Sequence, residues 1–82
     1  MIVVKEVNKM IKAVLLDHLK FKEERKVSKL SQEKIAERLS IPSRYVRNLE
    51  TKNRCISAQL LYRIHILFDK PMEYFLIVTE ED

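Results

Sequence analysis

The chain has 82 residues, which allows one domain with a small core. Its composition, 46% hydrophobic and 34% charged with no glycine and two prolines, excludes a disordered chain and a glycine-rich phosphate loop, and it favours helices. The net charge of +4 is unevenly distributed: residues 1–29 and 30–54 carry +4 and +3, whereas residues 55–82 carry −3. A basic front half suits a polyanionic partner, although the same charge also serves solubility alone.

The N-terminal part predicts one long amphipathic helix over residues 6–25. Apolar side chains recur there at spacings of three and four residues, with lysines between them: Val7, Ile11, Val14, Leu15 and Leu19. Charged residues interrupt every apolar run, so the pattern predicts neither a signal peptide nor a membrane span. A cytoplasmic location is the corresponding expectation.

Two short helices joined by a tight turn are predicted next. Ser31 can cap a helix over 32–39, because its hydroxyl can accept a hydrogen bond from an exposed backbone N–H. Proline is tolerated at a helix start but not inside one, so Pro42 marks the beginning of a third helix that ends near Glu50.

The C-terminal part predicts two further helices. Ser57 can cap a fourth helix over 58–67, and a short last helix begins at Pro71. The apolar runs at 2–4 and 75–78 can pair as short strands, or they can be helix ends packed on the core; the sequence leaves both alternatives open. The predicted fold class is therefore all-α, a compact bundle of about five helices with these short terminal strands as an option.

Residues 32–51 have the layout of a helix, a turn and a helix. Branched apolar residues form the seam, and Ala36 is the small residue where the helices cross most closely. This arrangement resembles the helix-turn-helix of the Cro/CI-type phage repressors, also called the XRE family. Leu30-Ser31-Gln32 is similar to the family's "L-[ST]-Q" entry to the second helix. The segment 47–76, "RNLETKNRCISAQLLYRIHILFDKPMEYFL", has eight family positions in register: Leu49, Glu50, Arg54, Ser57, Leu61, Ile64, Leu67 and Phe75.

The resemblance implies a lambda-repressor-like arrangement with a central helix-turn-helix. We therefore expect a single domain over 1–82, with a motif core at 25–76, an N-terminal extension of the first helix at 1–24 and a C-terminal tail at 77–82. The chain departs from the family's pattern at its glycine and proline positions, which hold Ser40, Lys52, Phe68 and Ile56 here.

The resemblance also implies roles for particular residues. The outward side chains of helix 43–50 would contact base edges in the major groove: Ser43, Arg44, Arg47 and Asn48. The start of the second helix and the loop after the third would hold phosphates: Gln32, Lys52, Asn53 and Arg54. Arg25 and Glu50 would form a structural ion pair that fixes the angle of the third helix. The alternative for the exposed cations is an ordinary solvated face.

The predicted function is sequence-specific binding of double-stranded DNA by a small transcription regulator, acting as a repressor and as a homodimer through the N-terminal or C-terminal apolar segments. The alternative is an antitoxin-like or anti-repressor protein-interaction module. Cys55 is the one cysteine, and His18 and His65 are predicted to be core-edge histidines. No carboxylate pair or His/Cys cluster stands out, so we expect no metal, no cofactor and no enzymatic activity.

Overall fold

In the part of the chain that the structure describes, four α-helices lie between two β-strands that pair with each other. The computed structural model describes residues 11–80, and the side chains of residues 11–79. In chain order the elements are β1 (Ile11–Leu16), α1 (His18–Val27), α2 (Gln32–Leu39), α3 (Ser43–Leu49), α4 (Ala58–Phe68), a 3₁₀ turn (Met72–Phe75) and β2 (Leu76–Glu80).

The prediction of one helix over 6–25 is wrong for residues 11–16, which form β1, and residues 6–10 lie outside the described part. A short apolar run fits a helix face and a strand equally well, and a pairing partner far along the chain decides between them. Helix α1 begins only at His18, where the Asp17 carboxylate accepts hydrogen bonds from the backbone N–H groups of Leu19 and Lys20.

The all-α class and the count of five helices are also wrong. Over residues 11–80 the structure has four α-helices and a two-stranded antiparallel sheet, and the short helix predicted to begin at Pro71 is a single 3₁₀ turn. Strand β2 overlaps the run at 75–78 for which a strand was one alternative, and its partner is β1. The run at 2–4, which was its partner in that alternative, lies outside the described residues.

The two strands form a ribbon in which Leu16 pairs with Leu76, Val14 with Val78 and Ile11 with Glu80. Leu16 is 1% exposed and anchors the ribbon in the core. Further along, Val14 and Val78 are 43% and 50% exposed. One end of the ribbon is therefore packed on the helices, and the other end carries apolar side chains that the described residues leave uncovered.

Helices α2 and α3 form the predicted helix-turn-helix. The Ser31 hydroxyl caps α2 by accepting a hydrogen bond from the Lys34 backbone N–H at 3.0 Å, and α3 begins directly after Pro42. Ser40 ends α2 at φ 58° and ψ 44°, the left-handed conformation that glycine adopts most easily. A non-glycine residue there costs about 1 kcal/mol, and the turn nevertheless keeps its shape.

The core contains side chains from every helix, from β1 and from the 3₁₀ turn. Helix α1 contributes Phe21, whose ring stacks edge-on against Phe68 of α4 with the centroids 6.0 Å apart. Between α2 and α3 the buried residues are Ile35, Ala36, Leu39, Val46 and Leu49. Because this seam fixes the rotation of α3 about its own axis, it also fixes which side chains of α3 point outward.

Candidate nucleic-acid interface

Helix α3 has one buried face and one exposed polar face. Val46 and Leu49 are fully buried, whereas Arg44, Arg47 and Asn48 are exposed. Residues three and four apart lie on the same side of a helix, so these three polar side chains form one surface. Ser43 begins the helix and is half-buried. The exposed face presents two guanidinium groups and one amide, which are the side chains that pair bidentately with guanine and adenine.

A buried ion pair lies at the C-terminal end of α3. The Arg25 guanidinium donates to both carboxylate oxygens of Glu50, from Nε to Oε2 at 2.5 Å and from Nη2 to Oε1 at 3.1 Å. The two side chains are 14% and 4% exposed. Arg25 Nη1 also donates to the backbone oxygen of Leu30, and the Gln32 side-chain nitrogen donates to Glu50 Oε1. The carboxylate at the C-cap of α3 is thus bonded to residues on α1 and α2.

These contacts bear directly on the residue predicted at the start of α2. One donor of the Gln32 amide is engaged by Glu50, so the side chain connects the two helices of the motif. The backbone N–H groups of Gln32 and Glu33 precede the first intrahelical hydrogen bond, which runs from Ile35 to Ser31. The N-terminus of α2 therefore keeps backbone donors and the positive end of the helix dipole for an anion.

The loop after α3 carries three polar side chains with different surroundings. Lys52 is exposed, whereas Asn53 and Arg54 are half-buried. Within the described part of the chain, the buried Nε of Arg54 has no hydrogen-bond partner. The backbone oxygen of Arg54 accepts from the Leu16 N–H at 2.8 Å, which attaches the loop to the end of β1. The loop is fixed at its base, and its Lys52 side chain is exposed.

Several contacts around this surface have no indication in the sequence. His18 donates from its backbone and its ring to Asn53, 35 residues away. Arg63 of α4 donates to the backbone oxygen of Leu39 at the end of α2. The local sequence contains no pattern that would pair residues so far apart, and His18 was predicted only as a core-edge histidine within a helix over 6–25.

A second buried carboxylate lies on α1. Glu24 accepts a hydrogen bond from the Tyr74 hydroxyl at 3.0 Å. This bond, together with the removal of water and the negative charges of nearby carboxylates, raises the pKa of Tyr74 above its ordinary value. The bond fastens α1 to the 3₁₀ turn.

The described side chains contain no group of three or more histidine, cysteine, aspartate or glutamate residues that could hold a metal ion. Cys55 is exposed. None of the described helices combines the length and the apolar character needed to cross a membrane.

Comparison with known proteins identifies the kind of domain that these helices form. A family model described as helix-turn-helix matches residues 21–75, about two thirds of the chain. The match includes most of α1, all of α2, α3 and α4, and the 3₁₀ turn, and it leaves β1 and β2 outside. A search of curated proteins and a search of solved structures gave no match.

Proposed function

The chain belongs to the XRE family of helix-turn-helix DNA-binding regulators, and from this premise we propose that it is a sequence-specific binder of double-stranded DNA that acts as a transcriptional repressor. The observation that carries the proposal is the exposed face of α3, where Arg44, Arg47 and Asn48 lie together above a fully buried seam. A helix whose inner face is packed rigidly on the core can insert its outer face into the major groove.

Base recognition is assigned to the side chains of this face together with Ser43. Arg44 is suited to donate two parallel hydrogen bonds to guanine, and Asn48 can exchange two with adenine. Each such pair discriminates against a wrong base by about 1–3 kcal/mol. Arg47 has the reach for either a base edge or a phosphate.

Phosphate contacts are assigned to the N-terminus of α2 and to the loop after α3. DNA phosphates would be contacted on either side of α3 by two sets of groups. These are the backbone donors at Gln32 and Glu33, and the side chains of Lys52, Asn53 and Arg54. These contacts set the register of the protein on the duplex and carry no sequence information. The buried Arg25–Glu50 pair contributes by holding the end of α3 at a fixed angle.

A symmetric dimer is part of the proposal, because a single module makes few base contacts. The ribbon is the surface we assign to it, since Val14 and Val78 are cross-strand neighbours and both are about half exposed. A dimer would bind a two-fold symmetric site whose half-sites lie one helical turn, about 34 Å, apart. A cytoplasmic setting and a single domain over 1–82 stay predictions of the sequence.

The decisive experiment is selection of bound duplexes from a random library. The unmodified chain should select a two-fold symmetric site, and Arg44→Ala and Asn48→Ala should each relax preference at particular base pairs. Arg38→Ala is the matched control, because Arg38 is an exposed arginine that lies beside Tyr62 and Ile66 of α4. Equal weakening of all sequences by Arg44→Ala and Asn48→Ala would contradict base recognition by these side chains.

The second candidate is a protein-interaction module. The observation in its favour is that Tyr62 and Ile66, one turn apart on α4, are 55% and 58% exposed. Salt separates the two functions, because DNA binding through six or more phosphate contacts weakens on the order of a thousandfold between 50 and 200 mM salt. A module that binds only protein would show no such dependence with duplex DNA.

A further inference from the structure

The side-chain oxygen of Asn53 has a fixed orientation. Oδ1 lies 3.1 Å from the backbone nitrogen of His18 and 2.6 Å from its ring nitrogen Nδ1. A backbone N–H can only donate, so the atom of the amide that faces it must be the oxygen. The amide nitrogen Nδ2 is therefore on the side away from α1, and no acceptor from the described residues is bonded to it.

The ring of His18 has a defined role in the same contact. Because Oδ1 can only accept, Nδ1 must carry the hydrogen that joins the two atoms. His18 is the first residue of α1, and Asp17 already accepts from the next two backbone N–H groups. The Asn53 oxygen thus completes the cap of α1, and the His18 ring adds a second bond that restricts the rotation of the amide.

The orientation of the amide decides what Asn53 can do at a phosphate. A phosphate oxygen accepts hydrogen bonds, so it binds the NH₂ of an amide and repels the carbonyl oxygen. With its oxygen directed at α1, Asn53 can present only donors to a partner outside. The adjacent Lys52 and Arg54 are cations in the same loop, and the backbone bond from Leu16 to Arg54 holds that loop in place.

We propose that His18 is a positioning residue of the DNA interface, whose ring N–H fixes the Asn53 amide with its NH₂ group toward a backbone phosphate. The inference rests on the proposed DNA-binding function. According to this inference, the start of α1 directly influences the loop that follows α3. The start of α1 precedes the residues matched by the family model. His18 itself need not touch DNA.

The test uses the full chain and a duplex of random sequence about 20 base pairs long, two helical turns, at 50 mM salt, because phosphate contacts do not depend on sequence. We expect His18→Ala to weaken binding about tenfold, the size of one lost hydrogen bond to a charged group. Asn53→Ala should weaken binding by a similar factor, and the double variant should be no weaker than Asn53→Ala alone.

Two isosteres distinguish positioning from direct contact. In His18→Asn the new amide nitrogen lies near the position of Nδ1 and can donate to Asn53, so affinity should return to within about twofold of the unmodified chain. In His18→Gln the nitrogen lies near Nε2, so affinity should stay low. Restoration by glutamine and not by asparagine would overturn the proposal in favour of a direct contact through Nε2.

An NMR measurement distinguishes positioning of the Asn53 amide from a purely structural role of His18. The side-chain amide signals of Asn53 in ¹⁵N NMR spectra should shift on adding duplex in the unmodified chain and in His18→Asn, but not in His18→Ala. Leu19→Ala is the control, because Leu19 is 65% exposed in the same turn of α1 and its backbone N–H is bonded to Asp17. If the unmodified chain binds and His18→Ala binds equally, the inference alone fails; if the unmodified chain does not bind duplex, the proposed function fails.

Discussion

The C-cap of α3 and the outer face of the same helix carry polar side chains whose surroundings differ. At the C-terminal end, Glu50 is buried and accepts hydrogen bonds from Arg25 and Gln32. Along the outer face, Arg44 and Arg47 are exposed, and no hydrogen bond from the described residues reaches their guanidinium groups. Removing one partner of the buried pair lowers the stability of the fold, whereas the exposed charges can be removed with little effect on it. Burial and pairing, rather than residue type, separate the structural Arg25 of α1 from the arginines of α3 that can bind a partner.

Removal of Arg25 should give the largest effect on folding. In Arg25→Ala the Glu50 carboxylate is left buried without its guanidinium, which should lower the free energy of unfolding by about 3 kcal/mol. Urea denaturation measures the change, and Arg47→Ala should stay within about 0.5 kcal/mol of the unmodified chain. The double variant Arg25→Met with Glu50→Leu should regain most of the loss, because no charge is then left buried. A loss below about 1 kcal/mol in Arg25→Ala would mean that the pair behaves like a surface salt bridge.

Lys52→Ala should produce a smaller effect, confined to binding. Lys52 is exposed, so its removal should leave stability unchanged. If it contacts a phosphate, affinity should fall by a similar factor for every duplex, and the slope of log affinity against log salt should decrease by about one. Arg44→Ala, measured on the same duplexes, should instead weaken some sequences more than others. An unchanged salt slope in Lys52→Ala would remove this loop residue from the interface.

Tyr74 should give the smallest effect, measured as a change in how stability depends on pH in alkaline solution. Its hydroxyl donates to Glu24, which raises the pKa of Tyr74 above 10.0. The folded protein therefore holds this proton more tightly than the unfolded chain does, so the stabilisation is complete below pH 10 and is lost as the pH rises through the raised pKa. Thermal unfolding should show the unmodified chain losing more stability above pH 10 than Tyr74→Phe. Parallel losses in both proteins would contradict the hydrogen bond.

The elements that could be predicted from sequence are those whose determinants are local. Ser31, Pro42 and Ser57 each lie at a helix start, and the structure places the helix starts beside them. The exposed face of α3 follows from the buried seam, because helical periodicity fixes both at once. Strand β1 was missed because its partner residues lie sixty or more positions away, and the apolar spacing around Val14 suits a helix equally well.

The contacts that support the candidate site were harder to predict for the same reason. The bond between His18 and Asn53 spans 35 residues, and the sequence around His18 indicates only a histidine near the core. The Gln32 amide was expected to face a phosphate, yet one of its donors is bonded to Glu50. A sequence pattern identifies which helix face is outward, but it does not identify the hydrogen-bond partner of each polar atom.

The ribbon has a consequence for the order of folding. Its two strands enclose all four helices within one long loop of the chain, from Leu16 to Leu76. Closing such a loop costs conformational entropy before the strand pairs repay it, whereas α2 and α3 contact each other across a few residues. Helices α2 and α3 should therefore pack together first, and the two strands should pair last. Early in unfolding the strands should separate while α2 and α3 are still packed against each other.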